Sequence, residues 1–398
     1  MSDQLQYREI GKNDLKKFSK MLDYAFALQE GEKEYKSEED YREIMGAARG
    51  MYKGDELLSC FELFEFDCRM RDVQVKLAGI GGVASPPENR RKGYIKAMFN
   101  EALHEMKNND FLLSSLWPFS FSFYRKLGYE QATGYKNYLL KPQRLKFTAK
   151  YNSGEFRKVS LADYRELNEV YKQHYRDYDL VVDKSKEWWE KRIAEENYIY
   201  ILERENDPTG YIVYSVEEDP DADFKKRMKV REIAAVDYEN YMECLRFLYN
   251  HDSQIARIWM NVSTDDLLPK FLPEPGIEEN CYQPGAMFRI IDVRELLSTI
   301  KYPPDYTGSL VFRVNDNIIG ENDVTFILEV EGGKGRCRES SRKPEFEVDI
   351  NHLTPVVTGY ISPGQAYQIG QIKVREEKVV GKLQKIFPSR KTCFLVFF

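Results

Sequence analysis

The stretch from Asp72 to Pro118, "DVQVKLAGIGGVASPPENRRKGYIKAMFNEALHEMKNNDFLLSSLWP", constrains the fold more than any other part of the chain. "DVQVKLAGIGGVASPP" reads as a strand running into a turn. In the helical segment that follows, Ile95, Met98, Phe99, Ala102, Leu103 and Met106 recur at the spacing of one helix face and form a single apolar stripe. "FLLSSLWP" is a short apolar run stopped by Pro118, the pattern of a buried strand. A helix between two strands makes them pair in parallel through a right-handed crossover, so this is an α/β unit.

A basic turn, Arg90-Arg91-Lys92-Gly93, sits where the first strand hands over to the helix. The first N–H groups of a helix lack backbone partners and carry the positive end of the helix dipole, so they bind phosphate oxygens. Gly93 lets the backbone approach a pyrophosphate, and Arg91 and Lys92 supply charge-assisted contacts. The chemistry implied is a diphosphate-bearing cofactor. A basic surface turn that only caps a helix is the plainer reading of the same residues. Beyond Pro118, "FSFYRKLGYE" reads as a short helix closed by Gly128.

Three blocks follow along the 398 residues, with expected bounds 1–146, 147–293 and 294–398. The second block repeats the order of the first: "MKVREIAAV" as strand, "YENYMECLRFLYNH" as helix, "QIARIWMNV" as strand. The third opens near Arg294, with Pro303 and Pro304 marking a linker region. "YTGSLVFRVND" and "DVTFILEVEGGKGRCRES" alternate apolar and polar residues around the turn "EGGKG", and "EEKVVGKLQKIF" is helix-like, giving a small α+β domain. "TCFLVFF" is expected to be its final strand.

Composition narrows the function. A net charge of −6 with no dominant basic tract argues against nucleic-acid binding. Six scattered cysteines without a C-x-x-C pair, and four scattered histidines, argue against a structural zinc site or a disulfide framework. The start "MSDQLQYREIGKNDLKKF" is polar, and no apolar run approaches the ~20 residues of a membrane span, so the expectation is a cytoplasmic protein without membrane or metal.

The order strand, R-x-x-G turn, helix, strand, F-Y-x-x-x-G-Y resembles the GNAT N-acetyltransferases through Arg90-Arg91-Lys92-Gly93-Tyr94-Ile95 and Phe123-Tyr124-Arg125-Lys126-Leu127-Gly128-Tyr129. Ile95 stands where the common signature has Gly or Ala, which is similar to the R-R-R-G-L-L-like turn of the Eis (enhanced intracellular survival) acetyltransferases. That resemblance covers essentially the whole chain. It implies two tandem GNAT-like domains, each a mixed sheet flanked by helices, the second without a cofactor turn, then a sterol-carrier-protein-like α+β domain. The cosubstrate implied is acetyl-CoA. Val83, Ala84 and Ser85 would pair with its pantetheine amides. Arg91, Lys92, Gly93, Tyr94, Ile95 and Lys96 would hold its pyrophosphate, and Phe119 and Ser120 would flank its thiol end. Tyr124 would be the general acid and the carboxylate of Phe398 the general base. The acceptor implied is a primary amine (aminoglycoside, polyamine or lysine-like), and the assembly a hexamer. Acids such as Asp23 and Glu30 either line the acceptor cleft or form a solvated face. The competing reading is a non-catalytic acyl-CoA or lipid-binding protein that uses the sterol-carrier-like domain.

The assigned roles have a physical condition. A thiol near ~8.5 and a tyrosine near ~10 differ by ~2 kcal/mol, which Tyr124 can supply as an acid. An α-carboxylate near ~3.5 facing an ammonium near ~10.4 is a poor base unless burial shifts both. The apolar ending "FLVFF" is the feature expected to provide that burial.

Overall fold

The computed structural model describes residues 4–27, 47–194, 198–221, 226–274 and 277–397. Glu30 and Phe398 therefore lie outside the described residues. Two compact units emerge: residues up to 132 with 286–392 and the residues from 396 on, and residues 133–285 with 393–395.

The first unit opens with β1 (Leu5–Glu9), α1 (Leu15–Phe26), β2 (Ala48–Lys53), β3 (Glu56–Met70), β4 (Val73–Ala84), α2 (Tyr94–Asn108), β5 (Leu113–Leu116), α3 (Phe121–Arg125) and β6 (Glu130–Gln131). Its sheet runs β1-β2-β3-β4-β5, continues through the strand Met287–Ile290, and ends on β6. β4 and β5 pair in parallel, as the helix between them requires. β5 is buried at every position, as its unbroken apolar-and-serine run implied. Helix α2 buries Met98, Phe99, Ala102, Leu103 and Met106, five of the six stripe residues, against the sheet. At roughly 1.5–3 kcal/mol for each large side chain removed from water, that face alone holds the helix down.

In the second unit, β7 (Gly134–Leu140), β8 (Glu155–Lys158), α4 (Tyr164–His174), β9 (Tyr198–Arg204), β10 (Asp207–Glu218), β11 (Lys226–Ala235), α5 (Tyr238–Tyr249), β12 (Ile255–Ser263) and β13 (Glu279–Pro284) build a sheet of order β13-β7-β12-β11-β10-β9-β8. β11 and β12 are its parallel pair, joined by α5, which repeats the strand–helix–strand plan read from the sequence. Met242, Leu245 and Leu248 of α5 lie in its core.

The remainder of the first unit is the small α+β domain. It comprises α6 (Val293–Thr299), β14 (Gly308–Asn315), β15 (Thr325–Glu331), β16 (Lys334–Glu339), β17 (Phe346–Asp349), α7 (Ile350–Val357), β18 (Ile372–Val374) and α8 (Lys378–Ile386), with sheet order β16-β15-β14-β17-β18. The β15–β16 hairpin turns at Gly332 and Gly333, both with positive φ (+55° and +76°), which is why "EGGKG" is a turn. The chain's last residues do not join this sheet. Only Lys391–Thr392 is a strand, and the apolar residues after it are irregular, which corrects the expected final strand. The apolar side chains are buried without strand pairing: Cys393, Phe394 and Val396 are 4%, 3% and 2% exposed. Cys393 packs in the second unit with Tyr175 and Trp189, and its N–H donates to the Asp179 carbonyl oxygen at 3.0 Å. No described helix is long and apolar enough to cross a membrane.

Candidate active site

The β4–β5 ladder runs from Leu77–Leu113 to Ile80–Leu116 and stops there. β4 continues to Ala84, whereas β5 gives way to Trp117 and Pro118. The sequence supplies two causes. Pro118 has no N–H to give a ladder. Gly82, at φ +58°, sits where the β3–β4 register slips, and an added Cβ there would lie 2.8 Å from the Glu62 Oε2 atom. The strands part beyond Ile80, so the β5-facing backbone of Gly81 to Ala84 has no strand partner there. Val83 is half-buried on this segment, Ala84 and Ser85 are buried, and the Ser85 hydroxyl donates to the Leu58 carbonyl oxygen at 3.0 Å.

After Pro86 a short helical turn, Pro87–Asn89, leads into the basic loop. Arg91 and Gly93 both take left-handed backbone (φ +61° and +86°), which turns the chain sharply into α2. Helix α2 starts without a side-chain cap, and its first hydrogen bond is Ala97 N–H to the Gly93 carbonyl. The N–H groups of the first turn therefore remain for a ligand. The position of a Gly93 Cβ is open space, with no atom within 4 Å. Arg90, Arg91, Lys92 and Lys96 are exposed around this end, Tyr94 and Ile95 are half-buried, and Lys92 Nζ donates to Asn89 Oδ1 at 3.3 Å. An open, uncapped and cationic helix start fits an anionic diphosphate.

On the β5 side, Ser120 caps α3, its Oγ accepting from the Phe123 N–H at 3.4 Å. Phe119 beside it is 67% exposed. Tyr124 is 1% exposed, with the rings of Phe123, Phe119 and Phe99 centred 5.1, 5.2 and 5.8 Å away. Among the described residues its hydroxyl has no hydrogen-bond partner. Burial pushes Tyr124 well above the ordinary tyrosine value of 10.0, so the hydroxyl keeps its proton. The neighbouring Tyr129 is engaged instead: Ser114 Oγ donates to the Ala78 carbonyl oxygen at 2.9 Å and accepts from Tyr129 at 2.8 Å. Burial pushes Tyr129 up to about 12.

Two residues that the sequence did not single out belong to this region. Trp117 donates from Nε1 to the Val396 carbonyl oxygen at 2.8 Å and stacks on Phe397 at 4.1 Å and 19°. Arg289, 1% exposed, donates from Nη1 to the Leu127 carbonyl oxygen at 2.8 Å, just past α3. Only the dipeptide before "FS" hinted at Trp117. Nothing local marks Arg289, which lies far away in sequence. Phe398 is outside the described residues, so its carboxylate is not placed against Tyr124.

The corresponding place in the second unit is built differently. The β11–β12 ladder stops at Val230–Met260, but helix α5 is capped by Asp237, whose side chain accepts from the Asn240 N–H at 2.9 Å, and carries Glu239 in its first turn. Two carboxylates at a helix start exclude a phosphate. The cleft is nearly filled, with a free cavity of only about 10 Å³, lined by groups including His174, Glu232, Tyr241, Asp266 and Leu395.

Family models described as "Acetyltransferase (GNAT) domain" match residues 6–132 and 180–290, and one described as "Sterol carrier protein domain" matches 293–395. The N-acetyltransferase Eis of Mycobacterium tuberculosis is 23% identical over 330 residues, 80% of this chain and 79% of that protein. A GCN5-related N-acetyltransferase from Anabaena variabilis superposes with a TM-score of 0.88 at 23% identity, covering 99% of this chain and all of that one. Eis1 from Mycobacterium abscessus gives 0.79 at 17%, with 99% and 100% coverage. Two GNAT domains in tandem, a sterol-carrier-like domain after them, and relatives aligned along four-fifths of its length mark the chain as a GNAT N-acetyltransferase similar to the Eis enzymes.

Proposed function

We propose that this acetyltransferase moves the acetyl group of acetyl-CoA directly to a primary amine such as an aminoglycoside, a polyamine or a lysine side chain. The observation that carries the reading is the combination, in one unit, of an open, uncapped, cationic start of α2, the parting of β4 and β5, and a buried Tyr124 whose hydroxyl has no hydrogen-bond partner among the described residues. GNAT acetyltransferases use acetyl-CoA. Here the backbone of Val83, Ala84 and Ser85 would pair with its amides. The loop from Arg91 to Lys96 would hold its pyrophosphate, with Phe119 and Ser120 at the thiol end.

The amine nitrogen forms its bond to the acetyl carbon as the carbon–sulfur bond breaks. The sulfur takes the Tyr124 proton, and the ammonium proton passes to a base, assigned to the Phe398 carboxylate by family resemblance. Burial keeps Tyr124 protonated but makes it a weaker acid than the free side chain, so its contribution is partial proton sharing that offsets charge growing on sulfur, and not full transfer ahead of bond cleavage. A hexamer and a cytoplasmic location stay within the proposal on the resemblance alone, and light scattering of the purified protein tests the first.

The deciding assay is thiol release from acetyl-CoA with a panel of polyamines, aminoglycosides and lysine peptides. We expect release with at least one amine class above the amine-free rate. No stimulation by any of them overturns the substrate class. A Gly-Ser extension after Phe398 moves the carboxylate, and an unchanged pH–rate profile in that variant removes Phe398 from the mechanism.

A further inference from the structure

The small C-terminal domain has no stated part in acetyl transfer, yet it reaches the chain segment that carries Tyr124. Asp316, in the loop after β14, is fully buried and accepts from Arg289 Nη2 at 2.8 Å and 2.6 Å with its two oxygens. The same carboxylate is saturated by the N–H groups of Ile318 and Ile319 and by Asn322 Nδ2, at 3.0, 3.2 and 3.1 Å. Burial alone would raise the Asp316 carboxyl; the Arg289 guanidinium overrides it and holds the group below the usual carboxylate range, so the pair is ionic. The guanidinium is thus fixed on one side by the C-terminal domain. With its other nitrogen it grips the Leu127 carbonyl.

Leu127 is one turn past Tyr124. Its N–H donates to the Tyr124 carbonyl at 2.9 Å, and the Tyr129 N–H donates to the same oxygen at 3.1 Å. Gly128 completes the arrangement. Its φ is +82°, and a Cβ there would lie 1.5 Å from Arg289 Nη1. The segment has been left without a side chain so that a buried cation can sit against its backbone. Helix α3 has only five residues and cannot hold its own orientation.

We propose that Arg289, anchored by Asp316, is a positioning residue for Tyr124, and that the sterol-carrier-like domain contributes to catalysis by clamping the end of α3. This rests on the reading of Tyr124 as the general acid. The test compares Arg289→Lys in two backgrounds, native and Tyr124→Phe, by steady-state kinetics. In the native background kcat falls ~10–100-fold, since a displacement of about 1 Å has that effect, while KM for acetyl-CoA changes by less than ~2-fold. In the Tyr124→Phe background the same substitution leaves kcat within ~2-fold, because the group it positions is gone. An equal drop in both backgrounds, or no drop in the native one, overturns the inference. An unchanged kcat in Tyr124→Phe alone overturns the acid reading itself, and the inference with it, and is recognised from that single variant. To guard against misfolding, Arg289→Met combined with Asp316→Leu removes both charges together. Native-like circular dichroism with a kcat as low as that of Arg289→Lys supports the clamp, and native-like circular dichroism with full kcat overturns it.

Discussion

The indole Nε1–H of Trp117 donates to the carbonyl oxygen of Val396 at 2.8 Å, and the same ring stacks on Phe397. Trp117 follows Leu116, the last paired residue of β5, and stands three residues before the cap of α3. Residues 396 and 397 have no strand partner, so this indole is a principal hold on them. Trp117→Phe deletes the hydrogen bond and keeps a ring, which removes about 1 kcal/mol, or roughly 5-fold in the opening equilibrium of the tail. Trp117→Ala also removes the stack, worth about 0.5–1.5 kcal/mol more. Carboxypeptidase release of the final residues should accelerate in that order, and equal rates in all three proteins would refute the clamp.

Burial places Tyr124 above its ordinary value, so it stays protonated through the usual assay range. Its ionisation then gives kcat no alkaline fall below about pH 10. Tyr124→Phe should lower kcat by about 10²–10⁴-fold with little change in KM for acetyl-CoA. A fall in kcat centred near pH 9 that disappears in Tyr124→Phe would contradict the buried environment.

Two glycines with positive φ separate local strain from displacement. A Cβ at Gly93 meets open space, so Gly93→Ala carries only the left-handed strain of about 1–2 kcal/mol and should raise KM for acetyl-CoA. A Cβ at Gly128 meets the Arg289 guanidinium, and displacing one partner of a buried pair costs about 3–5 kcal/mol. Urea midpoints should order native, Gly93→Ala, Gly128→Ala, and the reverse order for the two variants would show that the guanidinium moves freely.

His174, in the second unit, is held below its usual value near 6.5, mainly by burial, with the charges of Glu232, Asp266 and Asp265 opposing the shift. Above pH 6.5 it is neutral folded or unfolded and has no effect on the pH dependence. Below pH 6.5 the unfolded chain binds a proton that the folded chain resists, so stability falls with pH. The thermal midpoint should drop between pH 7 and pH 5, with a shallower drop in His174→Gln. Parallel curves for the two proteins would rule out the histidine as the source.

Much of the site was legible because its parts are contiguous. The stripe of α2, the buried β5 run and the Gly93 turn are each encoded within a few residues, and periodicity reads such segments well. The family resemblance supplied Tyr124, whose surroundings come from three separate elements. Arg289 stayed silent because a buried arginine is distinguished only by partners that tertiary folding brings to it. The ending "TCFLVFF" misled for a related reason: apolar runs of that length mark burial, and burial here comes from side-chain packing and an indole donor, with no sheet ladder. The strands Gly134–Leu140 and Met287–Ile290 each pair away from their neighbours in sequence, and a short buried strand carries no label for the sheet it will join.

That late strand sets a timetable for synthesis. Met287–Ile290 fills the place between β5 and β6, so the first sheet lacks an interior rung until the ribosome has passed residue 290. At ~5–20 residues per second, the wait after residue 132 is on the order of 8–30 s. Throughout it, the Leu113–Leu116 edge, beside the future Tyr124 segment, is an unfinished template open to any other extended chain. The nascent protein is therefore most vulnerable to mispairing midway through translation, and the enzyme's own later sequence ends that exposure.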